Sequence, residues 1–180
     1  MRLGRGLTLL LGGARSGKSD LVVRLAEAWP DQVRFVATAT AGDADMAARI
    51  ERHRAERPAH WHVDELPRLE ASDLAIDADD SLTIVDCVTM LVANLLFADL
   101  DDDAIVDQCG HLAAAGAGRT APTLMISNEV GLGVHPETEL GRRYRDLLGR
   151  VNRRIADEAE TCLLVVAGRA LHLEEVELRW

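Results

Sequence analysis

Aromatic residues, basic residues and long apolar runs are all scarce in this sequence, and each shortage excludes something. Aromatics make up 3% of the 180 residues, so a core must be built from Leu, Val, Ile and Ala. Acidic residues outnumber basic ones by 30 to 20, which leaves a formal net charge of −10 at pH 7. Without a broad basic surface, neither nucleic acids nor anionic membranes are expected as main partners. No apolar run approaches the roughly 20 residues that a membrane span needs, so none is predicted.

Cysteine is scarce as well. The three cysteines, Cys87, Cys109 and Cys162, are odd in number and do not have the spacing of a metal site. They are typical of reduced, packed thiols, which predicts a cytoplasmic protein. No repeat or linker interrupts the sequence, and its length favours a single domain over residues 1–180.

Lysine is the rarest charged residue, and it marks the main motif. Lys18 is the only lysine among 20 basic residues, and it lies in Gly12–Ser19 (GGARSGKS), which fits the phosphate-binding loop G-x-x-x-x-G-K-[ST]. An apolar run over 7–11 precedes the loop and helical spacing follows it over 20–27. In such a loop, backbone amides and the helix start cradle the β-phosphate, the Lys reaches the β- and γ-phosphates, and the Ser binds Mg²⁺. A compact ammonium suits this position better than a planar guanidinium.

Strand and helix patterns alternate along the chain. Strands are predicted over 7–11, 33–37, 61–63, 81–86, 123–127, 161–166 and 170–173, and helices over 20–27, 43–56, 69–75, 88–97, 102–115 and 140–159. Apolar strands joined by helices predict an α/β fold with a mainly parallel sheet and helices on both faces. Ligands of such sheets bind beyond the carboxyl ends of the strands, where the phosphate loop, Thr38, Asp86 and Asn128–Glu129 fall.

Asp86 ends the apolar run that begins at residue 81. A buried strand that ends in a carboxylate, in a chain with a phosphate loop, is typical of the Walker-B arrangement, in which the Asp helps to hold Mg²⁺. Ser19 and Asp86 are therefore the predicted metal ligands. The alternative is that Asp86 only caps the helix predicted from residue 88.

The helix predicted over 43–56 carries a histidine on its apolar face. Met46, Ile50 and His53 share that face through spacings of four and three residues, and arginines surround the histidine. One interpretation is a partly buried histidine on a charged, solvated helix. The other is a nucleophile for phosphorus, with guanidinium groups nearby to neutralise the phosphate oxygens. Spacing alone does not choose between the two.

Four stretches occur in an order that resembles one enzyme family. They are the phosphate loop, Met46–Pro58 (MAARIERHRAERP), Asn128–Gly133 (NEVGLG) and Arg142–Asn152 (RRYRDLLGRVN). Over about residues 7–168, the chain closely resembles the bifunctional adenosylcobinamide kinase / adenosylcobinamide-phosphate guanylyltransferases of cobalamin biosynthesis.

The resemblance implies a P-loop fold of the RecA-like kind, assembly as a homotrimer, and two reactions that use ATP or GTP with Mg²⁺. In the first, a nucleoside triphosphate phosphorylates the aminopropanol hydroxyl of adenosylcobinamide. In the second, GTP guanylylates a histidine, and the phosphorylated corrinoid takes the GMP to give adenosylcobinamide-GDP. The family's histidine falls on His53, and Lys18 is the second expected catalytic residue.

The resemblance also implies a set of nucleotide contacts. They fall on Gly12, Gly13, Ala14, Arg15, Ser16, Gly17, Lys18, Ser19, Ala37, Thr38, Ala39, Arg54, Ala55, Glu56, Arg57, Glu65 and Asp86. The role of Glu65 stays open, since it could orient the His53 imidazole or bind the guanosine.

Two other functions fit the phosphate loop. One is a P-loop small-molecule kinase without a histidine intermediate. The other is a GTP-binding regulatory module that signals through a partner. The second lacks support, because the Asn-Lys-x-Asp guanine signature needs a lysine and Lys18 is the only one.

Overall fold

The computed structural model describes residues 3–55, 57–75 and 81–175. The strands are β1 (Leu7–Leu11), β2 (Val33–Ala37), β3 (His62–Glu65), β4 (Leu82–Asp86), β5 (Thr123–Ile126), β6 (Thr161–Val166) and β7 (Arg169–Leu173). The helices are α1 (Lys18–Glu27), α2 (Ala44–Ala55), α3 (Ala71–Ala75), α4 (Val88–Phe97), α5 (Asp102–Ala117) and α6 (Glu139–Ala156).

The strands form one sheet in the order β3-β2-β4-β5-β1-β6-β7. All neighbouring strands pair in parallel except β7, which runs antiparallel to β6 at the edge. The predicted mainly parallel α/β sheet is therefore confirmed. Because β5 lies between β1 and β4, the phosphate loop, Asp86 and Asn128 follow three adjacent strands and meet at one edge.

Apolar residues on both faces of the sheet are buried under helices. On one face, side chains such as Leu9, Val85 and Met125 pack in a cluster with residues of α4, α5 and α6. On the other face, Leu10 packs in a second cluster that includes Val22 of α1. Burial on two sides explains why the central strands β1, β4 and β5 are mostly apolar rather than alternating.

The elements differ from the predicted bounds only at their ends. α5 continues two residues beyond the predicted end, and its Gly116 permits a close contact, since a Cβ there would lie 3.1 Å from Thr123 Cγ2. α6 begins where the Thr138 hydroxyl accepts a hydrogen bond from the Gly141 amide, and it ends three residues early. β3 starts one residue late, because the Trp61 amide closes a turn onto the Pro58 carbonyl. None of the described helices is both long and apolar enough to cross a membrane.

Candidate active site

The loop between β1 and α1 has the close backbone contacts that require glycine. A Cβ on Gly12 would lie 2.5 Å from the Val165 carbonyl oxygen of β6. Gly17 has φ +95°, and a Cβ there would lie 2.9 Å from Gly168 Cα. The Gly168 amide in the β6–β7 turn donates to the Ser16 carbonyl at 2.8 Å. The far edge of the sheet therefore braces the phosphate loop, and larger residues at these two glycines would displace it.

Lys18 is the first residue of α1, and its ammonium lies on the loop. It is buried, and Nζ donates to the Gly12 carbonyl at 2.7 Å and to the Gly13 carbonyl at 2.8 Å. A phosphate oxygen is a stronger partner for an ammonium than a neutral carbonyl, because the hydrogen bond is then charge-assisted on both sides. The ammonium is thus placed where a phosphate bound in the loop would attract it.

Two cavities open at the carboxyl edge of the sheet. The first, here called the phosphate cavity, has a volume of about 380 Å³ and is lined by loop residues 14–20. The second, the large cavity, has a volume of about 480 Å³ and lies against α2 and the ends of β2 and β3. Among the described residues, four line both cavities: His53, Asp86, Cys87 and Asn128. These four residues form what we call the shared wall.

His53 therefore lies beside the phosphate loop, although 34 positions of sequence separate it from Ser19. The Met46–Ile50–His53 face of α2 borders the large cavity rather than the packed core, and all three residues are half-buried. An apolar face that lines a cavity leaves the imidazole accessible to a bound ligand. The position fits a nucleophile, and the role of His53 stays a prediction at this point.

Arg54 and Glu65 form an ion pair at the rim of the large cavity. The Arg54 guanidinium donates to Glu51 at 2.5 Å and to the Glu65 carboxylate. The hydrogen bond to Glu65 is the main cause that raises the pKa of Arg54. The Glu65 carboxylate thus contacts Arg54, and the choice between its two expected roles stays open.

Arg57 is held differently. Its Cζ lies 3.9 Å from the centroid of the Phe35 ring on β2, in a cation–π contact. Burial lowers the pKa of Arg57, and the Asp86 carboxylate acts in the opposite direction. The guanidinium also lines the large cavity, so it supplies a fixed positive charge close to the shared wall.

Ser19 and Asp86 both line the phosphate cavity, Ser19 from the phosphate loop and Asp86 from the end of β4. A hydroxyl and a carboxylate are the hard oxygen donors that Mg²⁺ prefers. No cluster of three or more His, Cys, Asp or Glu side chains suited to a metal occurs in the part of the chain that the structure describes. A metal here would therefore complete its coordination with phosphate oxygens and water, as Mg²⁺ does in nucleotide sites.

The segment after β2 contributes main chain and small side chains. Ala37 and Ala39 line the large cavity, but the Thr38 side chain lies beneath it and is fully buried. The Thr38 hydroxyl donates to the Cys87 carbonyl at 2.6 Å and accepts from the Cys87 amide at 2.8 Å. The Thr38 hydroxyl thus joins the end of β2 to the shared wall, and the expected nucleotide contact of Thr38 stays a prediction.

The remaining expected contacts are divided. Ala14, Arg15, Ser16 and Gly17 line the phosphate cavity. Ala55 is exposed on α2 and does not belong to the described wall of either cavity. Glu56 lies outside the described residues.

Two residues of the shared wall were missed as site residues. Cys87 immediately follows Asp86, and Asn128 follows the strand pattern of β5. The available signal was the position at a strand end. It predicted that Asn128 lies at the edge of the sheet where ligands bind, but it assigned no role to the residue. Cys87 was expected to be packed, and it is half-buried against both cavities.

The comparisons with known proteins agree with this geometry. Residues 8–173 match the family model described as "Cobinamide kinase / cobinamide phosphate guanyltransferase". The chain belongs to this family. The family predicted from the four motifs is confirmed.

Members of the cobinamide kinase / guanyltransferase family align with nearly the whole chain. It is 43% identical over 173 residues to the "Bifunctional adenosylcobalamin biosynthesis protein CobP" of Pseudomonas aeruginosa, covering 92% of this chain and 96% of that protein. It is 41% identical over 178 residues to the "Bifunctional adenosylcobalamin biosynthesis protein CobU" of Salmonella typhimurium, covering 90% and 96%.

Solved structures show the same fold at low identity. A type III secretion system ATPase from pathogenic bacteria matches with a TM-score of 0.56 at 12% identity, covering 88% of this chain and 50% of that one. The protein PH0250 from Pyrococcus horikoshii OT3 matches with a TM-score of 0.56 at 7% identity, covering 98% and 89%. These likenesses support the α/β P-loop fold alone.

Proposed function

We propose that this protein phosphorylates adenosylcobinamide with ATP or GTP and then transfers GMP from GTP to adenosylcobinamide phosphate through a guanylyl-histidine at His53. The family and the names of its relatives support both activities. The observation that carries the proposal is the shared wall, which brings His53 to the phosphate loop although α2 and the loop are far apart in sequence.

The two cavities divide a nucleotide in a way that suits both reactions. With the triphosphate in the phosphate cavity and the guanosine in the large cavity, the α-phosphate lies at the shared wall. His53 is then beside Pα, while Pγ points away along the loop. Arg57 and the Arg54–Glu65 pair border the large cavity and would contact the nucleoside side of GTP.

Guanylyl transfer is then two displacements at one phosphorus. A neutral imidazole nitrogen of His53 attacks Pα, an N–P bond forms, the bond from Pα to the bridging oxygen breaks, and pyrophosphate leaves. A phosphate oxygen of the phosphorylated corrinoid next attacks the same phosphorus and releases the imidazole. In the kinase step the corrinoid hydroxyl oxygen attacks Pγ, loses its proton, and the nucleoside diphosphate leaves.

Charge neutralisation falls to the loop and its neighbours. The loop amides and the Lys18 ammonium would hold the β- and γ-phosphates. Ser19 and Asp86 would hold Mg²⁺, which when bound withdraws charge from the triphosphate oxygens. Arg57 supplies further positive charge from the α2 side.

Four broader features belong to the proposal. Residues 1–180 would act as a single catalytic domain, which the one continuous sheet supports. The reduced, scattered cysteines support a cytoplasmic location, and the acidic composition supports small-molecule substrates rather than nucleic acid. Assembly as a homotrimer rests on the family resemblance, and light scattering on the purified protein tests it.

Intact-mass analysis after incubation with GTP and Mg²⁺ tests the central step. We expect an adduct of one GMP per chain, mapped to His53 and lost on acid treatment. His53→Ala should abolish the adduct while corrinoid phosphorylation remains measurable. The matched control is His62→Ala, since His62 is an exposed histidine on β3 that pairs with Asp64. Corrinoid phosphorylation without any adduct in the unmodified protein would instead support a kinase with no histidine intermediate.

A further inference from the structure

The proposed function gives no role to two residues of the shared wall, Cys87 and Asn128. Asn128 is the polar one of the two. It follows β5, between the strand that ends in the phosphate loop and the strand that ends in Asp86. It is half-buried and lines both cavities. Asn128 therefore lies at the boundary between the two cavities.

The main chain of Asn128 is fixed from two directions. Its amide donates to the Thr89 hydroxyl at 2.8 Å, and its carbonyl accepts from Asn152 Nδ2 at 3.0 Å. Asn152 is buried on α6, and its Oδ1 accepts from the Ser127 hydroxyl at 2.6 Å. The Tyr144 hydroxyl donates to the Thr89 carbonyl at 2.9 Å, which ties α6 to the start of α4 as well. A satisfied buried network of this kind holds one backbone geometry.

The side-chain amide of Asn128 is not part of that network. The chain has three asparagines, and the other two use their amides on main-chain carbonyls: Asn94 on Thr38 and Pro67, and Asn152 on Asn128. Within the described residues, both hydrogen bonds of Asn128 are made by its backbone. A rigid backbone that presents an uncommitted amide is the arrangement of a preorganised donor.

We propose that the Asn128 side-chain amide donates a hydrogen bond to the phosphate at the shared wall while that phosphate is being transferred, and that Asn152 positions it by fixing the Asn128 main chain. This inference rests on the proposed function. In guanylyl transfer, negative charge on the non-bridging oxygens of Pα is redistributed as the His53 nitrogen approaches. A neutral amide stabilises that charge without adding a second titrating group, and α4 and α6 hold the main chain that carries it.

Single-turnover formation of the GMP-enzyme tests the role of Asn128. Asn128→Ala should lower the rate of adduct formation about 100-fold, the loss seen when one preorganised donor is removed, while GTP affinity by calorimetry stays nearly unchanged. Asn128→Asp keeps the shape, removes the donor and adds negative charge, so its rate should fall further. A normal rate in both variants, or a loss confined to GTP affinity, would overturn the assignment.

The positioning role of Asn152 is tested with a measurement that a purely structural role would not change. Asn152→Ala should also slow adduct formation, and the double variant with Asn128→Ala should be no slower than Asn128→Ala alone, because the second change acts through the first. Additive losses would show that Asn152 does not act through Asn128. Gln108→Ala is the matched control. Gln108 lies on α5, and its side-chain amide donates to the Leu69 carbonyl at 3.2 Å. Its loss should lower stability without changing the rate of adduct formation.

The two proposals fail separately. If the unmodified protein forms no GMP adduct, the proposed function fails. If the adduct forms and the Asn128 variants form it at the normal rate, only this inference fails.

Discussion

Replacing Thr38 with Val separates a ligand contact from a structural tie. The two side chains have the same shape, so the change removes only the hydroxyl, which exchanges two hydrogen bonds with the Cys87 main chain. The Cys87 carbonyl keeps a second partner, because it also accepts from the Leu91 amide at 3.1 Å. The Cys87 amide loses the Thr38 hydroxyl as its hydrogen-bond acceptor.

The expected cost follows from those contacts. Each lost hydrogen bond costs about 1 kcal/mol, so the loss of two gives about 2 kcal/mol in the free energy of unfolding. With a urea m-value of about 2 kcal/mol/M, the midpoint should fall by about 1 M. Because Cys87 lies in the shared wall, GMP-enzyme formation should also slow.

Thr83→Val is the matched control for this experiment. Thr83 is fully buried on the neighbouring strand β4, but its hydroxyl has no hydrogen-bond partner among the described residues. The same change there should leave stability equal or raise it by about 1 kcal/mol. A Thr38→Val protein with the urea midpoint of the unmodified protein and a weakened affinity for GTP would refute the structural assignment and make the hydroxyl a nucleotide contact.

Three further experiments probe the cavities. GTP should protect Cys87 from alkylation at pH 8, and mass spectrometry of the peptides measures the protection. Cys109 should resist alkylation with or without GTP, because burial raises the pKa of Cys109 to about 12 and keeps it protonated. If GTP does not protect Cys87, the proposed site is contradicted. Lys18→Met should slow both reactions about 100-fold, and loss of only one contradicts a shared phosphate loop. Asp86→Asn should raise the Mg²⁺ concentration needed for half-maximal activity, and an unchanged requirement removes Asp86 from the metal site.

The fold followed from local patterns because its central strands are buried on both sides. β1 and α4 have the predicted bounds, since each is a mostly apolar and buried run. The phosphate loop was equally readable, because its glycines meet the backbone of β6 and the following turn, and no other residue type fits there. Where the prediction failed, at the ends of α5 and α6, a tertiary contact or a cap set the boundary instead of the periodicity.

The site was predictable only in part, because its geometry depends on contacts between distant segments. Thr38 and Cys87 are 49 residues apart, and nothing near Thr38 in the sequence indicates that its hydroxyl is used there. Asn128 depends on Asn152, 24 residues away on another helix. A strand-end position therefore predicts that a residue is near the ligand, but the partner strand or helix decides whether its side chain faces the ligand or the protein.

One phosphate loop can serve both proposed reactions because both break a bond to an oxygen of the β-phosphate. In the kinase step the Pγ–O–Pβ bridge opens, and in guanylyl transfer the Pα–O–Pβ bridge opens, so in each case the leaving oxygen stays on Pβ. The loop amides and Lys18 would surround that phosphate, and they would stabilise the leaving group whichever side is attacked. Under the proposal, His53 and Asn128, which line the phosphate cavity, would face Pα. The corrinoid hydroxyl would approach Pγ from the opposite end, and the side that is attacked would decide which reaction occurs.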